Sequence, residues 1–151
     1  MKRRKKKRSS SRFGHGLCPC HSGAPYAACC LPFHKGAAHA ATPEQLMRSR
    51  YAAYATGRTD YIIETTDPEG PHHQADRAAW REGVDAFCAE TDFVALTIEH
   101  TSMEPENARG EVRFLALLRQ GGEPVEMREH SVFRQTEDGR WLYTCELEHL
   151  E

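Results

Sequence analysis

The chain has 151 residues, of which 39% are hydrophobic and 28% are charged, and its formal net charge is −2. This length has room for one ordinary domain and an appendage, and no apolar run approaches the 18 residues of a membrane-spanning helix. The small net charge hides a strong asymmetry. Residues 1–12 hold eight of the twenty basic residues and no acidic one, which leaves twelve basic against twenty-two acidic residues, or −10, on the rest.

Residues 1–16 are predicted to be a disordered basic tail, because a segment of this composition cannot bury apolar surface. Such a tail attracts RNA, the ribosome surface or anionic lipid. The alternative is a solvated segment that only aids solubility. We expect any RNA or anionic-surface contact to involve residues 2–12 and to weaken strongly with salt.

Residues 17–36 contain a cluster of four cysteines, at Cys18, Cys20, Cys29 and Cys30. The stretch is too short and too poor in large apolar residues to fold unaided. Thiolates around one tetrahedral ion would supply the missing stabilisation, of order 10 kcal/mol. Zinc suits four thiolates best, and iron is the other candidate metal.

The competing interpretation of the cysteine cluster is a disulfide framework, as in small secreted proteins. It is disfavoured because no apolar run of 7–15 residues follows the basic start, as a secretory signal would require. His21 and His34 flank the cysteines and are alternative ligands in place of Cys30. Cys88 and Cys145 lie in apolar patterns and are predicted to be inert thiols.

Three helices are predicted after the cysteine cluster. The first begins with Thr42 as its N-cap and ends at Gly57. The second is short and covers residues 60–65, and the third is capped by Asp76. Between them, residues 67–73 have the composition of a loop, and its two histidines are predicted to be solvated.

Four strands are predicted in the second half of the chain, at residues 93–101, 111–119, 124–135 and 141–148. Turns rich in glycine join the second strand to the third and the third to the fourth. Helices followed by consecutive antiparallel strands predict an α+β fold in segregated layers.

The third strand carries two polar residues on its apolar face, since Glu129 and Ser131 alternate with apolar side chains. In the first helix Arg50 shares a face with Tyr54, so it also points inward and is the natural partner of Glu129. One interpretation is a buried ion pair between helix and sheet. The other is a pocket lined by Arg50, Tyr51, Tyr54, Glu129 and Ser131.

A pocket of this kind raises the question of catalysis. A glutamate whose pKa is raised by burial could act as a base, whereas a tightly paired arginine would lower that pKa. No second catalytic partner has a diagnostic spacing, so a non-enzymatic role is favoured.

The order of motifs resembles a known bacterial family. Cys-x-Cys-x8-Cys-Cys at residues 18–30 is similar to the SEC-C zinc motif. The segments at 43–54, 60–61, 129–133 and 138–143 resemble the YchJ family, and the resemblance spans about residues 17–145. It implies one structural Zn²⁺ and a nuclear-transport-factor-two-like (cystatin-like) cone of three helices packed on a curved antiparallel sheet. The implied divisions are a tail at 1–16, a zinc knuckle at 17–36 and the cone at 42–148.

The sequence as a whole favours a zinc-binding, non-enzymatic adaptor of the bacterial cytoplasm. Its knuckle and basic tail would dock on the ribosome or on the protein-export machinery, as the SEC-C resemblance implies. The alternative is a small-molecule-binding protein or an isomerase- or dehydratase-like enzyme that uses the pocket around Glu129 and Arg50. By analogy with other cones, a homodimer through the open sheet face is also expected. That face would be lined by Arg113, Arg119, His130 and Arg134.

Overall fold

A computed structural model describes residues 16–147, so the predicted tail lies outside the described residues except for Gly16. The cysteine segment contains a 3-10 turn at Tyr26–Ala28 and a short helix, α1, at Leu31–His34. Three longer elements follow: α2 (Pro43–Thr56), α3 (Thr59–Glu64) and α4 (Arg77–Glu90). The strands are β1 (Thr91–Glu104), β2 (Arg109–Gln120), β3 (Glu123–Gln135) and β4 (Trp141–Glu146), with a 3-10 turn at Pro105–Asn107 after β1.

The ends of α2 and α4 are set by the capping residues that the sequence predicts. The Thr42 hydroxyl accepts a hydrogen bond from the Gln45 amide at 3.1 Å, and Gly57 ends the helix with a left-handed φ of 76°. Asp76 caps α4 by accepting from the Ala79 amide at 3.1 Å. These local hydrogen bonds satisfy amide groups that the first turn of a helix leaves without partners.

The four strands form one antiparallel sheet in the order β1-β2-β3-β4. Gly121 and Gly122 both adopt positive φ, which is what a two-residue hairpin between β2 and β3 requires. The pairing of β1 with β2 shifts register twice, and such irregularities bend a strand. The α+β fold with helices on a curved antiparallel sheet is therefore confirmed.

The core lies between the helices and the inner face of the sheet, and both tryptophans belong to it. Trp141 is also tied to the start of α2, because its indole Nε1 donates to the Ala41 carbonyl at 3.2 Å. Across residues 16–147 no helix has both the length and the apolar content needed to cross a bilayer.

The outer face of the sheet carries hydrogen-bonded pairs of acidic and basic side chains. Arg128 meets Glu99 at 2.9 Å, and His130 meets Glu111 at 2.7 Å. Arg134 turns instead to the loop after α3, where it forms an ion pair with the buried carboxylate of Asp67. The homodimer through this face stays a prediction. Of the four residues expected to line that face, Arg134 already has its guanidinium bound to Asp67.

Candidate metal centre and cavity

The four clustered cysteines converge at the N-terminal end of the described chain. Their Sγ atoms all lie within 4.8 Å of one another, and Cys18, Cys20 and Cys30 are almost fully buried. A single antiparallel bridge between Leu17 and Pro25 closes the segment into a small loop. The longer segment that contains this loop, residues 17–36, is called the knuckle below.

The sulfur geometry fits a tetrahedral ion. Zn–S bonds of about 2.3 Å place tetrahedral sulfurs about 3.8 Å apart. The Sγ atom of Cys29 lies 3.6 Å from that of Cys20 and 3.9 Å from that of Cys30, and all six cysteines are free thiols rather than disulfides. The cluster could therefore hold a metal ion through four sulfur ligands.

One thiol of the cluster ionises before its neighbours. Hydrogen bonds from Cys18 and Cys30 hold the pKa of Cys20 far below its ordinary value. Donation to Cys20 raises the pKa of Cys18 to about 12, and hydrogen bonds with Cys18 and then with Cys20 raise the pKa of Cys30. The Ser22 hydroxyl lies 3.1 Å from Cys29 Sγ, a position from which it can donate to a thiolate. The segment thus presents the negative charge that a cation requires.

The knuckle is packed against α2. The Arg48 guanidinium donates to the Cys20 carbonyl at 2.9 Å, and His34 Nε2 donates to the Ser49 carbonyl at 2.8 Å. The other ring nitrogen of His34 lies 2.7 Å from the Tyr26 hydroxyl, which donates to it. His34 is thus used as a bridge between knuckle and helix, with neither ring nitrogen directed at the sulfur cluster.

A cavity of about 350 Å³ lies between the helices and the inner face of the sheet. The five residues proposed from the sequence, Arg50, Tyr51, Tyr54, Glu129 and Ser131, all line it. The cavity opens to solvent, because exposed side chains also line it. These are His72, Gln74, Met127 and Glu146.

The predicted ion pair between Arg50 and Glu129 is not formed in the described part of the chain. Arg50 instead uses Nη1 to donate to the Ile62 carbonyl at 3.1 Å and to two threonine hydroxyls at the end of α3. Its guanidinium carbon lies 4.7 Å from the centre of the Tyr143 ring. Neutral oxygens and an aromatic face take the place of the expected carboxylate.

Glu129 belongs to a polar network that crosses from β3 to β4. Its Oε2 accepts from the Ser131 hydroxyl at 2.8 Å and from the Tyr143 hydroxyl at 3.3 Å. Tyr143 also lies 2.8 Å from Glu146, so two carboxylates compete for one phenol proton. Burial, and then the charge of Glu129, raise the pKa of Tyr143, which keeps it a neutral donor at physiological pH.

His72 continues this network at the cavity mouth, and sequence reasoning missed it. Its Nε2 lies 2.7 Å from Glu146 Oε1, and its ring stacks on Tyr143 at 5.6 Å. The loop is held there because the Asp67 amide donates to the Tyr143 carbonyl at 2.8 Å. His72 is exposed, as the sequence predicted for the histidines of this loop, but its contacts with Glu146 and Tyr143 were not predicted. No local pattern links it to a strand 74 residues later.

Comparison with known families gives two matches along the chain. The description "YchJ, middle NTF2-like domain" matches residues 42–145, and the SEC-C motif matches residues 17–32. A UPF0225 protein of Deinococcus radiodurans is 44% identical over 128 residues, which cover 83% of this chain and 85% of that protein.

Two solved structures share the fold over most of the chain. A SEC-C motif containing protein from Rhodopseudomonas palustris, solved in solution, has a TM-score of 0.75 and 40% identity, covering 89% of this chain and 98% of that one. A crystal structure of a SEC-C motif containing protein from Psychrobacter arcticus has a TM-score of 0.73 and 22% identity, with coverages of 93% and 88%. The second likeness concerns the fold alone.

Proposed function

This chain belongs to the YchJ family, also called UPF0225, and on that premise we propose that it is a small-molecule-binding protein. The observation that carries the proposal is the cavity of about 350 Å³, which is open to solvent and lined by two opposite charges that do not pair with each other. Pockets of this size with an apolar lining and a few converging polar groups are the usual form of ligand sites. The role is binding, with no catalytic step assigned.

Blocking the cavity mouth provides the test. Met127 lines the mouth and is 36% exposed, so Met127→Trp would occlude the opening without filling the core. Met103→Trp is the matched control, because Met103 is 45% exposed on β1 and lies away from the cavity lining. A fragment library is titrated into ¹⁵N-labelled protein of each kind.

We expect fragments to shift amide signals around Glu129 and Tyr143 in the wild type and in Met103→Trp. The shifts should be lost in Met127→Trp. Fragments that bind Met127→Trp as well as wild type, or that bind nowhere, would contradict the proposal.

The knuckle is proposed to be held by one structural Zn²⁺ bound to Cys18, Cys20, Cys29 and Cys30. Support comes from sulfur separations of 3.6 and 3.9 Å, which suit Zn–S bonds of about 2.3 Å. Zinc bound there would stabilise a segment that has little apolar core of its own. On this assignment residues 17–36 form a knuckle module and residues 42–148 form the cone.

Metal content measured by mass spectrometry tests this assignment. Protein purified without chelator should contain about one zinc per chain, and Cys20→Ser should lose it. Cys145→Ser should retain it, because Cys145 lies on β4 outside the cluster. Equal metal content in both variants, or iron in place of zinc, would overturn the assignment.

A second candidate function is docking on a ribosome or protein-export component in the bacterial cytoplasm, through knuckle and tail. The observation in its favour is the basic segment 2–12, with no acidic residue, next to a knuckle whose Leu17 is 59% exposed. Sedimentation of ribosomes with full-length protein and with a variant lacking residues 2–12 tests it. Salt-sensitive co-sedimentation that requires the tail would support docking, and its absence for both proteins would remove the ribosome as partner.

A further inference from the structure

We infer that the cavity takes a small zwitterion, with an ammonium and a carboxylate on an apolar body, as in an aromatic or large aliphatic α-amino acid. The inference rests on the proposed small-molecule-binding function and adds the chemical class of the ligand. Three features of the cavity carry it: a buried cation, a carboxylate with an open oxygen, and a wall of aromatic rings.

The buried cation is Arg50, which is only 8% exposed. Within residues 16–147 no carboxylate lies within ion-pair distance of it, and Nη1 makes its hydrogen bonds, all to neutral oxygens. A buried charge is costly unless it is paired. A ligand carboxylate facing the remaining guanidinium nitrogens would supply the missing countercharge, in the planar geometry that arginine suits.

The carboxylate is Glu129, which is half-buried and likewise has no basic partner among the described residues. Its Oε2 accepts from Ser131 and Tyr143, whereas no described residue donates to Oε1. A carboxylate offers about four acceptor sites. The open oxygen therefore suits a donor on the ligand, and an ammonium would also balance its charge.

Tyr143 explains why these two charges do not neutralise each other directly. Its ring lies under the Arg50 guanidinium at 4.7 Å, and its hydroxyl points to Glu129 at 3.3 Å. The tyrosine thus lies between the two ions. A ligand with one charge would pair one of them and leave the other unpaired, whereas a zwitterion pairs both.

The apolar body of the ligand is inferred from the rings that line the rest of the cavity. Tyr54 meets Phe87 edge to face at 5.4 Å, and Phe93 lies 5.9 Å from Phe87. All three rings are half-buried. Aromatic walls of this kind favour a ring or a branched aliphatic side chain.

The hydrogen-bonded pair of His72 and Glu146 at the mouth does not compete for the ligand charges. His72 and Glu146 lie 2.7 Å apart and so satisfy each other. Burial opposes the ionisation of Glu146, but hydrogen bonds from His72 and Tyr143 lower its pKa overall. In the cavity lining, Arg50 and Glu129 are therefore the charged groups whose hydrogen bonds go only to carbonyl and hydroxyl groups.

Three compounds of matched size test the ligand class by isothermal titration. L-Phenylalanine carries both charges, 2-phenylethylamine lacks the carboxylate, and 3-phenylpropanoate lacks the ammonium. We expect phenylalanine to bind at least about 10-fold more tightly than either analogue, since each charged hydrogen bond contributes roughly 10- to 100-fold. Glu129→Gln should weaken the binding of phenylalanine and of phenylethylamine by about 10-fold and leave the binding of phenylpropanoate unchanged.

Arg50→Lys tests the carboxylate subsite, because lysine keeps the charge but loses the planar fork. The variant should weaken the binding of phenylalanine and of phenylpropanoate and leave the binding of phenylethylamine unchanged. Arg50 also ties α2 to the end of α3, so Glu129→Gln carries the test if Arg50→Lys does not fold.

The possible results separate the inference from the function beneath it. An analogue that binds as tightly as phenylalanine, or Glu129→Gln weakening all three compounds equally, overturns the zwitterion. If none of the three compounds binds but fragments still bind in the cavity, the zwitterion inference is contradicted and the proposed small-molecule-binding function is not. Failure of every compound and fragment overturns both.

Discussion

At the scale of single residues, Tyr51 and Tyr61 show how differently two buried hydroxyls can be treated. Among the described residues the Tyr51 hydroxyl has no hydrogen-bond partner. The Tyr61 hydroxyl donates to Ser49 Oγ at 2.7 Å, because the Ser49 hydroxyl itself donates to the Leu46 carbonyl. A buried polar group without a partner costs roughly 1–3 kcal/mol.

We therefore expect Tyr51→Phe to raise the free energy of unfolding by about 1 kcal/mol, since it removes an unsatisfied hydroxyl and keeps the ring. Tyr61→Phe is the matched control and should lower it by about 1 kcal/mol. Urea unfolding of both variants measures the difference. A Tyr51→Phe variant as destabilised as Tyr61→Phe would contradict the structural account of Tyr51.

Asp67 is a buried carboxylate whose charge is expected to stabilise the fold. Its side chain is 2% exposed, and Arg134 donates to it at 2.7 and 2.9 Å. Hydrogen bonds from Arg134, opposed by burial, hold the pKa of Asp67 well below its ordinary value. The Thr144 hydroxyl adds a third donor at 2.8 Å.

A folded-state pKa below the unfolded value of about 3.9 stabilises the fold above that pH, and the contribution is lost as the pH falls through the folded-state pKa. Asp67→Asn should therefore cost roughly 2–3 kcal/mol at pH 7, because it leaves Arg134 without its charge partner. The difference in the free energy of unfolding between variant and wild type should become smaller below pH 4. Urea unfolding at pH 7 and at pH 3 provides the measurement.

Glu99→Gln is the matched control for Asp67→Asn. Glu99 pairs with Arg128 on the exposed face of the sheet, where solvent screens the interaction. This variant should change stability far less at either pH. An Asp67→Asn gap that stays constant from pH 7 to pH 3 would show that the buried charge is not its cause.

At the scale of secondary-structure elements, Gly110 sets how closely β2 approaches α2. A Cβ built at this position would lie 2.2 Å from Pro43 Cγ, at the first turn of the helix. Gly110→Ala should therefore push strand and helix apart and cost roughly 1–3 kcal/mol, the usual price of overpacking. Thermal unfolding monitored by circular dichroism measures it.

Gly83 supplies the opposite case on α4. A Cβ there meets nothing within 4 Å, and the residue is exposed in the middle of the helix. Gly83→Ala should stabilise the protein by up to about 1 kcal/mol, because alanine loses less backbone freedom in a helix. A destabilised Gly83→Ala, or a neutral Gly110→Ala, would contradict this packing.

The elements were predictable from sequence where the signal is local. Thr42, Gly57 and Asp76 are capping residues whose hydrogen bonds lie within four positions, so the helix ends follow from them. The ends of β1 did not follow. The strand begins at Thr91 and runs to Glu104, beyond the predicted 93–101, because pairing with β2 extends it past its apolar pattern.

At the scale of the whole molecule, the knuckle and the cone share α2. Arg48 and Ser49 of this helix form hydrogen bonds with the knuckle. The side chains of Arg50, Tyr51 and Tyr54 on the same helix line the cavity. Removing metal with a chelator should therefore lower the thermal midpoint of the whole chain by roughly 5 °C or more. Differential scanning calorimetry with and without chelator measures the shift.

Two variants control the chelator experiment. Cys145→Ser should keep the chelator response, since Cys145 lies outside the sulfur cluster. Cys20→Ser should already have the lower midpoint and should not respond further. A wild-type midpoint that is insensitive to chelator would mean that the knuckle contributes nothing to the stability of the cone.

The candidate site was only partly predictable, again for a physical reason. The cysteine spacing is local, so the sulfur cluster could be anticipated, and β-strand alternation placed Glu129 and Ser131 on the inner face. The predicted ion pair of Arg50 with Glu129 was wrong, because Arg50 donates its hydrogen bonds to neutral oxygens at the end of α3 instead. Alternation and spacing carry no information on such competing partners from distant segments.

The contacts of β4 determine when the cavity can exist. Like the other strands, β4 pairs with its neighbour in sequence, β3. It also makes distant contacts, because Trp141 bonds to Ala41 and Thr144 to Asp67, 100 and 77 residues earlier. Since distant contacts carry a larger loop-closure entropy, β4 should close last during folding, and pulsed hydrogen exchange should protect β2 and β3 before it. A nascent chain therefore has no complete cavity until β4 has been synthesised, because β4 supplies Tyr143 and Glu146 to its lining.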